Sequence, residues 1–276
     1  MPQSPFHHSS GGGGMWQVYA GAVVAAFISI AVFMIYFEEK KLFVNFAHGK
    51  ILLFGLFWVI VSWIEFMLIL PLKFVVAPNE LHIVAHETCM VVARTLHVLF
   101  FGPVVVEGRT NVNPDKVYVE PLAELTMMDI TSLYFLGGNF SWVSKSIIFL
   151  IPGAGWLMKL ANYVPLTRKN KTSVLRMFEL AKDRFAHGWS VVVFPQGTRR
   201  RTEFLPFKDG AFDLAVDANV EILPVTIIIP DDLWTWNRLG KVKLVIGKPI
   251  AVGNATKDEL KQKAYDVVLS NLPKQK

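Results

Sequence analysis

Apolar and polar positions divide the chain into a greasy front and an alternating remainder. Met15 to Phe37 is a run of 23 residues without a charge, and a helix needs about 20 apolar residues to cross a bilayer. A polar stretch from Glu38-Glu39-Lys40-Lys41 to Lys50 separates it from a second apolar run, Ile51 to about Val76, interrupted by Glu65. The two runs predict a helical hairpin, so residues 15–77 are read as a two-helix membrane anchor preceding an α/β domain over 78–276. A Lys-rich connection favours the cytoplasm. A hairpin seated in one leaflet keeps that connection and the following domain on the same side. Glu65 is expected to have a structural role within the hairpin.

Residues 79–100 predict an amphipathic helix with Leu81, Val84, Val91, Leu96 and Leu99 on its apolar face. Beyond 101, short β-type runs alternate with helical ones. The strands are expected at Pro103–Glu107, Lys116–Glu120, Ser141–Ser144, Tyr163–Leu166, Ser190–Phe194, Ile222–Ile229 and Lys243–Ile246. The helices between them are expected at Thr126–Leu136, Ser146–Ala161, Lys171–His187, Asp209–Ala218 and Thr256–Leu272. Such alternation predicts a layered α/β domain with a mixed, largely parallel sheet.

Composition sharpens this picture. Of 276 residues, 53% are hydrophobic and only 18% charged, which excludes a disordered chain. The lone Cys89 excludes an internal disulfide framework and a Cys-rich zinc site. Residues 1–100 hold five bases and five acids, so residues 101–276 carry the entire net charge of +6. A neutral apolar front joined to a basic domain suits anionic lipid headgroups; no zinc-finger or RNP-type signature points to nucleic acid. Residues 1–14, with four consecutive glycines, are expected to be a flexible tail. His82 and His86, one helical turn apart, have the spacing of a metal pair, but without further ligand boxes they are read as interfacial polar residues.

Three segments carry candidate chemistry. Val191-Val-Val-Phe-Pro-Gln-Gly-Thr-Arg-Arg-Arg201 is an apolar strand that stops at a proline and turns at Gly197, delivering Thr198 and Arg199 to a strand's C-terminal end. Open α/β sheets bind ligands at that edge. Arginine's fork of donors matches phosphate oxygens, with Arg200, Arg201 and Lys208 reinforcing it. Lys145 and Arg168 likewise follow strands, so three separated segments can build one cationic pocket. In the third segment, Val117–Ile130, Glu124 and Asp129 stand five apart, about 140° out of phase on one helix. They converge only if Glu124 precedes the helix and Asp129 lies in its first turn. The Thr126-x-x-Asp129 capping pattern gives that arrangement, and capping is also the plain alternative role for Asp129.

In this order, the Asp129 segment, Ser144-Lys145, Val164-Pro-Leu-Thr-Arg168, Phe194-Pro-Gln-Gly-Thr-Arg199 and Leu223-Pro224-Val225 resemble the glycerolipid acyltransferases, most closely the 1-acyl-sn-glycerol-3-phosphate (lysophosphatidic acid) acyltransferases, over roughly residues 79–272. The resemblance implies transfer of an acyl chain from acyl-CoA or acyl carrier protein to the sn-2 hydroxyl of lysophosphatidic acid, giving phosphatidic acid in phospholipid synthesis. It implies acyl-CoA as co-substrate with no metal or prosthetic group, membrane lipids as partners, and a membrane location, integral or monotopic, with the site facing the cytosol. It assigns phosphate binding to Lys145, Arg168 and Arg199, and catalysis to Asp129 and the residue at position 124. Thr126, Gln196, Gly197, Thr198 and Pro224 shape the motifs, Pro224 lying toward the acyl side.

The chain departs from the family pattern where the base belongs. The family's Asn-His-x-Ser-x-x-Asp becomes Ala123-Glu124-Leu125-Thr126-Met127-Met128-Asp129, so Glu124 replaces the histidine, and Gln196 stands where glutamate is usual. A free glutamate, with a pKa of about 4.3, is a poor proton acceptor for an alcohol unless burial raises it. Two readings therefore follow: an acyltransferase with an altered base, and a catalytically silent lipid-binding relative.

Overall fold

The computed structural model describes residues 49–121, 128–168, 170–197, 205–230, 233 and 241–272. The expected tail over 1–14 and the first apolar run, Met15–Phe37, lie outside them. So do Glu124, Thr126, Thr198 and Arg199.

Helix α1 (Gly49–Ile69) is apolar all round. One side, with Phe54, Val59, Trp63 and Phe66, is buried. Leu53, Phe57, Ile60, Ile64 and Leu68 form an outward stripe at helical spacing. Pro71 ends the regular helix in a 3-10 turn, Leu70–Phe74, and α2 (Pro78–Phe101) folds back along α1. Edge-to-face contacts from Phe54 to Phe100 and Phe101 show the antiparallel pairing. Among the described residues, two helices are long and apolar enough to cross a membrane, Leu53–Phe74 and Pro78–Phe101.

The inward face of α2 differs from the one the sequence suggested. Leu81 and Leu96 are buried, but Val91 and Leu99 are exposed, and the remaining inward positions are Ala85, His86, Ala93, His97 and the terminal Phe101. Small residues let the helix approach closely, and the histidines are admitted because each finds a hydrogen-bond partner. His86 is therefore no interfacial residue. It is wholly buried, with Nδ1 2.8 Å from the Tyr163 hydroxyl and Nε2 3.2 Å from the Gly138 carbonyl.

Among the described residues seven strands follow: β1 (Val104–Glu107), β2 (Val119–Pro121), β3 (Phe140–Lys145), β4 (Val164–Leu166), β5 (Ser190–Val193), β6 (Val225–Ile228) and β7 (Val242–Ile246). Four lie in the order β2-β5-β3-β4, all parallel. The other three lie in the order β1-β7-β6, with β6 and β7 antiparallel. Ile222, just ahead of β6, bridges parallel to Val119 of β2 and joins the two groups. Helices α3 (Met128–Leu133), α4 (Ala154–Leu160), α5 (Lys171–Ala186) and α6 (Gly210–Ala218) lie between strands, and α7 (Lys257–Asn271) follows β7.

Alternation along the strands sorts side chains to two faces. Tyr118, Trp142 and Val192 pack with α1–α4, while Val119, Val143 and Val191 pack with Met177, Phe212 and Leu260 of α5–α7. The result is a sheet covered by helices on both faces. The continuous helix expected over Ser146–Ala161 is broken: a 3-10 turn (Ser146–Leu150) precedes Pro152 and Gly153, and α4 starts only at Ala154. Proline removes a donor and disfavours helix before it. Gly153 takes φ +73°, where a Cβ would press on Trp63 at 3.1 Å.

Candidate active site

The parallel strands place their C-terminal ends along one edge. Lys145 ends β3 and pairs in register with Leu166, so Thr167 and Arg168 emerge just beyond it. Pro121, the end of β2, pairs with Val193 of β5, so the segments leading to α3 and to Gln196-Gly197 leave the sheet as neighbours. Asp129 follows in the first turn of α3, wholly buried, where the helix N-terminus favours a carboxylate.

Specific bonds draw these ends together. The Arg168 guanidinium donates to the Gly197 carbonyl. The Thr167 hydroxyl donates to the Ser146 hydroxyl at 2.9 Å, tying the end of β4 to the turn after Lys145. The Thr167 N–H donates to Ser173 at 2.8 Å, and the Asn170 side chain caps α5 by accepting from the Ser173 N–H at 3.0 Å. After β5, buried Gln196 donates through Nε2 to the Leu205 carbonyl at 2.9 Å, and the Lys208 N–H donates to the Pro195 carbonyl at 2.9 Å. These two bonds tie Pro195 and Gln196, at the end of β5, to Leu205 and Lys208.

Gly197 has φ +67°, and a Cβ built on it would lie 3.0 Å from Lys208 Nζ and 3.4 Å from Arg168 Cζ. Two cations from separate segments thus crowd one glycine. Of the sequence-predicted residues, the described contacts bring Arg168, Gly197 and Gln196 together, with exposed Lys145 at the adjoining strand end. Pro224 is buried one strand beyond β2, and its carbonyl accepts from the Gly247 N–H at 2.9 Å, joining β6 to β7.

The helix carrying Asp129 is held from behind. His97 Nδ1 lies 2.8 Å from the Thr131 hydroxyl, which also donates to the Met128 carbonyl at 3.2 Å. Since a carbonyl only accepts, the hydroxyl proton goes there and His97 donates through Nδ1. One turn earlier on α2, Arg94 donates through Nε and Nη2 to the Tyr134 carbonyl at 2.9 and 2.7 Å, and Arg109 donates to the Phe135 carbonyl at 2.9 Å. Sequence reasoning misses His97, because its contact spans 34 residues and no local signal announces it.

Glu120 was also unforeseen. It is buried in β2, and burial pushes its carboxyl up to about 8, while a hydrogen bond from Ser190 pulls the other way. Ser190 in turn accepts from the Tyr118 N–H at 3.1 Å. Among the described residues, no group of three or more His, Cys, Asp or Glu side chains is arranged to hold a metal.

The acyltransferase family profile matches residues 104–228, the span from β1 through β6. A 1-acyl-sn-glycerol-3-phosphate acyltransferase of Chlamydomonas reinhardtii is 35% identical over 180 residues, covering 63% of this chain and 54% of that protein. One from Haemophilus influenzae is 34% identical over 139 residues, covering 49% and 58%. The chain spans little more than half the length of these curated relatives. The crystal structure of the 1-acyl-sn-glycerophosphate (LPA) acyltransferase PlsC from Thermotoga maritima superposes with a TM-score of 0.63 at 26% identity, covering 77% of this chain and 89% of that one. Within the span that the profile matches, the strand-end cations and buried Asp129 lie toward the edge where open sheets bind ligands.

Proposed function

We propose that this chain transfers an acyl group from acyl-CoA or acyl carrier protein to the sn-2 hydroxyl of 1-acyl-glycerol-3-phosphate, yielding phosphatidic acid. The observation that carries the reading is the convergence of Arg168 and Lys208 at Gly197, on the strand edge that also leads to Asp129, in an acyltransferase-family domain. The relatives named for this reaction support it.

In this reading Lys145, Arg168 and Arg199 hold the lysolipid phosphate. The acceptor hydroxyl attacks the thioester carbonyl, its proton passes to the base, the carbon–sulfur bond breaks, and the thiolate leaves and is protonated. Glu124 occupies the base position and Asp129 orients the reacting end. Binding both lipids side by side supplies proximity, while the base contributes about 10²–10⁴-fold. No metal or prosthetic group takes part. In this reading helices α1 and α2 contact the membrane, the site facing the cytosol. Ile147 and Leu150, both about two-thirds exposed immediately after Lys145, bring the phosphate site to the lipid surface.

The second reading, a silent lipid-binding relative, is favoured by one observation: Glu124 in place of the family histidine. Acyl-CoA and lysophosphatidic acid assayed with purified chain, Asp129→Asn and Glu124→His separate the two. Parent activity abolished by Asp129→Asn supports the enzyme. An inactive parent that gains activity with Glu124→His supports the silent relative.

A further inference from the structure

We propose that Lys208 and Arg168 form a two-cation cradle for a phosphomonoester, and that Lys208 is the specificity-determining residue that favours a doubly charged monoester over a singly charged phosphodiester. The acyl-transfer reading supplies the expected ligands; the cradle itself rests on side-chain placement.

Lys208 is fixed at its base. Its N–H donates to the Pro195 carbonyl at 2.9 Å, and the preceding Phe207 is buried, stacked on Phe212 and edge-on to Tyr265. The ammonium stands beside Gly197, 3.0 Å from where a Cβ would be, and the Arg168 carbon stands 3.4 Å from the same point. The two charges are thus well within one Debye length, about 8 Å in physiological salt, and repel each other. Arg168 commits one donor to the Gly197 carbonyl. Neither cation has an acidic partner among the described residues.

The neighbouring acid cannot neutralise Lys208, because it is engaged elsewhere. Asp209 accepts from Lys261 at 2.6 Å and from Lys257 at 3.3 Å, both on α7. These lysines hold its carboxyl below the usual carboxylate range. A close like-charge pair with no acidic partner among the described residues, at the ligand edge of a parallel sheet, suits an anion that supplies two charges. A phosphomonoester does so above its second pKa, about 6; a diester carries one. The absent Cβ at Gly197 leaves room for the ammonium.

Two phosphomonoesters are chemically equivalent here, the lysophosphatidate headgroup and the 3′-phosphate of a CoA thioester. The experiment compares the full chain with Lys208→Met and Lys208→Arg, using phosphatidylcholine vesicles doped with lysophosphatidate or with lysophosphatidylglycerol, and separately palmitoyl-CoA or palmitoyl-dephospho-CoA. The parent is expected to prefer at least one monoester over its counterpart. Lys208→Met is expected to weaken monoester binding about 10- to 100-fold while leaving the counterpart unchanged, and Lys208→Arg to retain the preference. The preference should fade at pH 5, where the monoester loses its second charge. Loss confined to lysophosphatidate assigns the cradle to the acceptor, and loss confined to the CoA thioester assigns it to the donor; both support it. Parent-like discrimination in a folded Lys208→Met overturns it. Because the readout is binding, the cradle survives if the parent proves unable to turn over, and acyl transfer survives if Lys208→Met binds and reacts as the parent does.

Discussion

At Gly197, backbone conformation and site electrostatics meet in one residue. A φ of +67° is strained for any L side chain, and the added methyl of Gly197→Ala would press against the Lys208 ammonium. We expect this substitution to cost about 1–2 kcal/mol in chemical unfolding and to raise KM for lysophosphatidate; an unchanged KM would show that the glycine serves only the turn. Glu120 gives a pH signature. Its folded-state pKa of about 8 lies above that of an unfolded carboxylate. The unfolded chain therefore releases this proton first, and stability falls as pH rises from about 4.5 to 8. Glu120→Gln should flatten that slope, gaining about 2–4 kcal/mol at pH 8 and little at pH 4.5. Urea midpoints across the range check it. The sequence showed Arg168 and Gly197 because local motifs carried them. It concealed the burial of Glu120, which depends on the helices lying over β2.

At the scale of elements, α3 depends on its supports more than on its own length. Six residues make a marginal helix, and its hydrogen bonds to His97, Arg94 and Arg109 compensate. Thr131→Val would strip His97 of its hydroxyl partner, costing about 1–3 kcal/mol. If α3 positions Asp129 for turnover, kcat should drop with KM for lysophosphatidate nearly unchanged; a purely structural contact would lower stability alone. Helix α7 begins with a complete capping box, in which the Thr256 hydroxyl accepts from the Glu259 N–H and the Glu259 carboxylate from the Thr256 N–H. Thr256→Ala should cost about 1 kcal/mol in thermal unfolding. The strand series was legible because its apolar runs are short and bounded by turn residues. The break within residues 146–161 was written in Pro152-Gly153 but masked by the apolar residues around it. The wrong face of α2 has a different cause. Hydropathy ranks valine above histidine, whereas burial here follows close packing and available partners.

At the scale of the whole molecule, the helical pair and the sheet form one packed body. Trp63 and Phe66 of α1 meet Trp156 of α4 edge to face, leaving the Leu53–Leu68 stripe outward. With Cys89 replaced by serine, an environment-sensitive fluorophore at Ile64→Cys should report a hydrocarbon-like surrounding in lipid vesicles, and a water-like spectrum would place that stripe elsewhere. The antiparallel joining of β6 and β7, and the bridge through Ile222, could not be read from sequence, because strand partners are chosen by tertiary packing.

Helix α2 has two jobs that pull on each other. It turns Val91, Val98 and Leu99 outward while its opposite side grips α3 through Arg94 and His97. Whatever solvates that outer surface therefore also sets the tension on the short helix bearing Asp129. A surfactant that loosens α2 should suppress turnover while the central strands keep their slow amide exchange, and returning the protein to bilayers should restore it. If these helices lie in lipid and the chain turns over as proposed, the bilayer is part of what holds Asp129 in position.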